Sequence, residues 1–268
     1  MSHEVYDARR SRYVDVGDAG LFVAEAGDPN GEPLLLLHGG LGDAYDFRRI
    51  VPELPQQLRL IALELRGQGR SSRGAAPLRY VQYQADVLAV LDQLQIASAR
   101  VLGFSDGGIV GYRLAVHAPQ RVRALVTVGS QWRLLPDDPS LPLLHGLNQA
   151  DWQARFPAVV ARYEAGNPQP DLGALIDDIR ALWLDTDPAT GYPGEQVRQI
   201  SAPVLIACGD RDPYMPLDEA LALRERIAGA GLLCLPFAGH GAHVEAKAAF
   251  LAAANAFLTH PEGRPRQR

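Results

Sequence analysis

The chain has 268 residues, 47% hydrophobic and 21% charged, with a formal net charge of −5 and two cysteines, Cys208 and Cys234. This composition excludes whole-chain disorder, and the acidic balance argues against a nucleic-acid surface. Two cysteines cannot build a disulfide framework and no Cys/His cluster has zinc spacing, while no apolar run approaches the ~20 residues that span a bilayer.

The stretch from Met1 to Val16 carries His3, Glu4, Asp7, Arg9, Arg10 and Arg12 and no apolar core, unlike a secretory signal. A reducing, cytoplasmic setting is therefore expected, with a small-molecule partner and neither membrane nor nucleic acid. Lys247 is the sole lysine, a bias that suits a GC-rich bacterial genome.

In chain order, Arg12 to Val16 and Leu21 to Ala26 flank Gly17-Asp18-Ala19-Gly20, a hairpin signal. Leu34 to Leu37 is a short, wholly apolar run that suits a strand buried on both faces of a parallel sheet. It ends at His38-Gly39-Gly40. Leu58 to Leu65 is a second such strand, ending at Arg66-Gly67-Gln68-Gly69. Val81 to Leu94 has helical spacing, Val101 to Phe104 reads as a strand, Gly107 to His117 as a helix and Ala124 to Val128 as a strand. This alternation predicts βαβ units and a mostly parallel sheet.

The rhythm breaks over residues 131–200, which hold all three tryptophans, Trp132, Trp152 and Trp183, and helical patches such as Leu172 to Leu184. It resumes with a strand at Pro203 to Ala207, a helix at Leu217 to Ile227, a strand at Leu232 to Leu235 and a closing helix at Val244 to Leu258. The expected organisation is one sheet domain, residues 1–130 and 201–268, with a helical cap inserted at 131–200.

Gly103-Phe104-Ser105-Asp106-Gly107 lies between a buried strand and a helix, the setting that gives the G-x-S-x-G pattern its meaning. A sharp strand-to-helix turn lifts the serine clear of the sheet and places it at a helix N-terminus, where developing negative charge is favoured. A serine nucleophile needs a base, and the base needs an orienting carboxylate. Later strands end in Gly209-Asp210-Arg211-Asp212-Pro213-Tyr214-Met215-Pro216 and in Gly239-His240-Gly241-Ala242-His243. An acid loop and a histidine loop thus follow the serine in the required order, each beyond a strand's carboxyl end.

On these motifs the chain resembles the α/β-hydrolases, over nearly its whole length except 131–200. The family's G-x-x-D-x-x-x-P pattern falls on Asp212 rather than Asp210, and its Gly-His pattern on His240 rather than His243. His243 is expected to face solvent or to start the closing helix. The resemblance implies an oxyanion hole made by the backbone N–H groups of Gly40 and Asp106, a structural role for His38, and no metal or organic cofactor. The form Gly-x-Ser-Asp-Gly-Gly is similar to that of valacyclovirase-like hydrolases, in which the acid beside the serine pairs with a substrate ammonium. Asp106 either takes that role or caps the following helix.

These features predict a serine hydrolase acting on a small carboxylic ester, with amino-acid esters or amides next. Ser105, His240 and Asp212 would form the triad, and Asp106, Trp132, Trp152 and Trp183 would contact substrate. Carbon–carbon bond hydrolases and cofactor-free haloperoxidases share the serine triad. Epoxide hydrolases and haloalkane dehalogenases place Asp where Ser105 stands. A non-catalytic small-molecule receptor on the same fold is the alternative from another class. Oligomeric state is not encoded in any motif.

Overall fold

The computed structural model describes residues 5–260. The ends of the expected sheet domain, residues 1–4 and 261–268, lie outside it, and with them His3 and Glu4. The strands are β1 (Asp7–Asp15), β2 (Gly20–Gly27), β3 (Pro33–Leu37), β4 (Arg59–Leu63), β5 (Ala99–Phe104), β6 (Val122–Val128), β7 (Val204–Gly209) and β8 (Gly231–Leu235). They form one sheet in the order β1-β2-β4-β3-β5-β6-β7-β8. β2 runs antiparallel to both its neighbours, and every pairing from β4 to β8 is parallel.

The apolar run Leu34 to Leu37 shows why the sheet is covered on both sides. All four leucines are fully buried. Leu35 and Leu37 pack with Val87, Val90, Val110 and Leu114 on one face, while Leu34 and Leu36 pack with Phe47, Phe250 and Leu258 on the other. Successive strand residues point to opposite faces, so a strand at the centre of a two-sided core has no place for a polar residue.

β1 starts five residues earlier than its apolar pattern suggests. It is an edge strand whose register slips between Asp7 and Arg12, and only Val14 among its residues is buried, so no apolar alternation marks its start. Arg10 and Arg12 instead converge, with Arg59 of β4, on the buried carboxylate of Glu25.

Helices α1 (Tyr80–Gln93) and α2 (Asp106–His117) pack on the sheet. Between β6 and β7 run four helices, α3 (Leu141–His145), α4 (Gln149–Arg155), α5 (Pro157–Gly166) and α6 (Leu172–Trp183), followed by a short 3-10 turn. Helix α7 (Leu217–Arg226) links β7 to β8. The expected closing helix is two pieces, α8 (Ala242–Glu245) and α9 (Lys247–Thr259). Ala246, at φ −113° and ψ 42°, leaves the helical region and breaks it. Among the described residues no helix is long and apolar enough to cross a membrane.

Candidate active site

The turn from β5 into α2 is closed by contact. A Cβ on Gly107 would lie 2.0 Å from the Leu37 carbonyl oxygen, and one on Gly103 would lie 2.4 Å from Gly107 backbone. Ser105 between them sits at φ 50°, ψ −117°, a region that L-residues avoid. Three backbone bonds hold it there: Ser105 N–H to Val128 O, Gly107 N–H to His38 O and Gly108 N–H to Ser105 O.

The expected triad residues meet. His240 Nε2 lies 3.0 Å from Ser105 Oγ, and Nδ1 lies 2.9 Å and 3.0 Å from the two carboxylate oxygens of Asp212. Asp212 Oδ1 also accepts the N–H groups of Tyr214 and Met215, so the carboxylate is held by its own loop. Gly129, at φ +56°, passes so close that a Cβ would lie 2.8 Å from Asp212 Oδ2. The His240 ring packs against Phe104 and Tyr214.

Gly40 and Asp106 line the same cavity as Ser105. Asp106 is the first residue of α2, where helix geometry leaves the N–H without an intrahelical acceptor. His38 is fully buried. Its Nε2 accepts from Leu65 N–H and its Nδ1 donates to Gly39 O, which ties the Gly39-Gly40 loop to the end of β4. Burial holds its pKa below the ordinary value, so the neutral ring is a structural clamp.

The expectation that Asp106 caps the following helix is not met. Its carboxylate caps no backbone N–H. It accepts instead from the Trp183 indole, at 2.8 and 3.0 Å, and from the Tyr80 hydroxyl at 3.1 Å. Burial pushes its pKa up to about 6 against the pull of those two donors. The Trp183 ring in turn covers Gly40, where a Cβ would lie 2.6 Å from Trp183 Cζ2 and 2.7 Å from Asp106 Oδ2.

The cavity over Ser105 holds about 570 Å³, and Leu144, Trp152, Phe156, Val159 and Trp183 from the helices between β6 and β7 form its apolar wall. Trp132 is not among its lining residues. The chain turns Gln131 into the cavity and Trp132 away from it, where its buried ring lies between the guanidinium groups of Arg133 and Arg226.

His243 does start α8, but it does not face solvent. It is buried against Phe104 and Phe47, bonds the Asp46 carbonyl, and burial drops its pKa to about 4. Asp210 is exposed and lies outside the cavity.

Three lining residues carried no signal in the sequence. The Asp46 carboxylate accepts Gly39 N–H, and burial together with nearby Asp43 pushes its pKa up to about 7. Arg155 and Arg211 line the same cavity as His240. Arg211 stands inside the Gly209 to Pro216 motif but at a position whose residue type the pattern leaves open; Asp46 and Arg155 belong to no motif, and the fold brings all three to the cavity.

Comparison with known proteins agrees with the fold. Residues 32–190 match the family model of the alpha/beta hydrolase fold. The chain is 28% identical to the 2-hydroxymuconate semialdehyde hydrolase of Pseudomonas sp. (strain CF600), over 87% of this chain and 88% of that one. It is 28% identical to the 3-oxoadipate enol-lactonase 2 of Acinetobacter baylyi, over 84% and 88%. Among solved structures, a hydrolase from Pseudomonas aeruginosa PA01 superposes with a TM-score of 0.75 at 28% identity, covering 94% of this chain and 99% of that one. The matched span is more than half of the chain and includes the β5–α2 turn, so the protein belongs to the α/β-hydrolase family.

Proposed function

We propose that the protein is a serine hydrolase that cleaves a small carboxylic ester through an acyl-enzyme. The observation that carries this reading is the hydrogen-bonded line from Ser105 Oγ through His240 to Asp212. Ser105 Oγ attacks the acyl carbon while His240 Nε2 takes its proton, and Asp212 fixes the tautomer and supports the imidazolium. The N–H groups of Gly40 and Asp106 hold the developing oxyanion. His240 returns the proton to the leaving oxygen, then activates water to release the acid. None of these steps calls for a metal or an organic cofactor.

We read residues 131–200 as a cap whose aromatic wall selects the substrate, and the two free thiols, Cys208 and Cys234, as suited to a reducing cytoplasm. Amino-acid esters and amides fall within the class, although the Asp106 carboxylate already accepts from Trp183 and Tyr80. A second reading is carbon–carbon bond hydrolysis, favoured by the name of the Pseudomonas sp. relative.

A fluorophosphonate probe tests the core of the proposal, with the adduct mapped by mass spectrometry and esters, lactones and vinylogous 1,5-diketones compared as substrates. Labelling at Ser105 with ester turnover supports it. Turnover of the diketones alone shifts the assignment to the second reading. Binding without any turnover makes the protein a receptor.

A further inference from the structure

Most of the arginines among the described residues are engaged. Among the described residues only Arg49, Arg155, Arg211 and Arg224 have side chains that donate to no carboxylate or carbonyl. Two of these four, Arg155 and Arg211, line the cavity over Ser105. Each rests on an aromatic ring, Arg155 over Phe156 at 5.3 Å and Arg211 over Phe237 at 5.2 Å. Such a seat steadies a guanidinium plane while leaving its N–H fork open.

Both lie on the same side of the site. Arg211 precedes Asp212 in the loop that holds His240, and its backbone N–H is fixed to Ala238 O. The charge of Arg155 acts on the hydroxyl of Tyr214, whose ring lies 4.8 Å from that of His240. Asp106, Asp46 and Trp183 line the cavity too, but the Asp106 carboxylate accepts from Trp183 and Tyr80 and that of Asp46 accepts Gly39 N–H. The two guanidinium groups are therefore the unpaired arginine cations of the cavity lining. Glu245 also lines the His240 side, but its carboxylate accepts Gly239 N–H and forms no ion pair with either arginine.

We propose that Arg155 and Arg211 bind a carboxylate carried by the leaving portion of the substrate, so that the natural ester is an acid on its alcohol side. The inference rests on the ester-hydrolase reading above, because it uses the direction of the reaction. His240 hands its proton to the leaving oxygen, so the leaving portion lies against His240 and reaches the two arginines. A guanidinium fork matches a carboxylate in shape.

The test compares 4-acetoxybenzoate with its neutral isostere 4-acetoxybenzamide, each followed by release of the phenol. The acid is expected to have the higher kcat/KM by ~10- to 100-fold, the range for hydrogen bonds to charged groups. Added salt should lower the ratio of the two, because the arginines are exposed and screened. The double variant Arg155→Gln/Arg211→Gln should bring the ratio close to one. A wild-type ratio at or below one, or a ratio that survives the double substitution, overturns the proposal.

If neither ester is turned over, it is the ester-hydrolase reading that fails. Calorimetric binding of 4-hydroxybenzoate to wild type and to the double variant then decides the arginine site separately. Binding lost in the variant keeps the site, and equal or absent binding removes it.

Discussion

The strand-end loops and the helices between β6 and β7 build the same cavity by different means. The loops that carry Ser105, Asp212 and His240 are fixed by backbone: glycines in contact with carbonyls, a left-handed serine, and a carboxylate bonded by its own loop. The helices instead join the sheet through side chains: buried apolar ones such as Leu175, Ile179 and Leu182 that share its core, and a few long polar bridges, among them Arg162 to Asp43, Asn167 to the carbonyls of Gly69 and Ser71, and Trp183 to Asp106. Backbone constraints fix atoms to within a few tenths of an ångström and survive most surface changes. Side-chain bridges hold a shape that one substitution can move. Changes in the first region should therefore abolish chemistry, and changes in the second should alter preference.

The largest contrast is expected at the nucleophile. Ser105→Ala should lower kcat for ester hydrolysis by ~10³- to 10⁶-fold, because the acyl-enzyme cannot form, with the thermal midpoint nearly unchanged. A variant that keeps wild-type turnover would remove the nucleophile from the mechanism. The two histidines sharpen the point. His240→Ala should approach the serine variant in lost activity. His243→Ala should keep most activity but unfold more easily, by about 1–3 kcal/mol, since it leaves a void against Phe104 and Phe47. Urea titrations alongside kinetics separate the two effects, and an exchange of outcomes would exchange the roles.

The difference between the two regions also explains what could be read before folding. The elbow, the acid loop and the histidine loop are each local: a few residues of fixed type directly after an apolar run. The parallel sheet was legible for the same reason, because a strand buried on both faces leaves an unbroken apolar signature such as Leu34 to Leu37. The cavity wall is not local. Nothing within a few residues of Trp132 and Trp183 tells which indole faces the serine, since that depends on how the segment crosses the sheet domain.

Asp46 and Arg155 reach the site only through tertiary packing, whereas Arg211 adjoins Asp212 but at an open position of its motif. Asp106 was visible as an oddity, but its partners Tyr80 and Trp183 stand 26 and 77 residues away. The break at Ala246 was hidden because alanine favours a continuous helix, and local propensity yields to packing.

The tryptophans give the next contrast. Trp183→Phe keeps an aromatic over Gly40 but removes the N–H held by Asp106. It should shift the ratio of kcat/KM between short and long acyl esters by roughly tenfold, the scale of a modest change in an apolar pocket. Trp132→Phe lies outside the cavity and should leave that ratio alone while lowering the thermal midpoint. Equal shifts in the two variants would mean that the cavity wall is not where preference is set.

The smallest effect tests whether the Asp106–Trp183 bridge is as dry as its contacts imply. Asp106 has a pKa near 6 in the folded chain, against an ordinary value of 3.8. The folded state therefore holds this proton more tightly than the unfolded one. The stability this contributes is complete below about pH 4 and is lost as pH rises through about 6, with a flat region above. Asp106→Asn keeps an oxygen to accept from Trp183 and Tyr80 but cannot ionise. Its unfolding free energy should accordingly fall less between pH 4 and 7 than that of wild type, by about 1–2 kcal/mol. Paired urea titrations at pH 4.5, 6 and 7.5 measure the difference. Parallel curves would mean that water reaches the carboxylate and ionises it at the ordinary pH, leaving the bridge a surface contact.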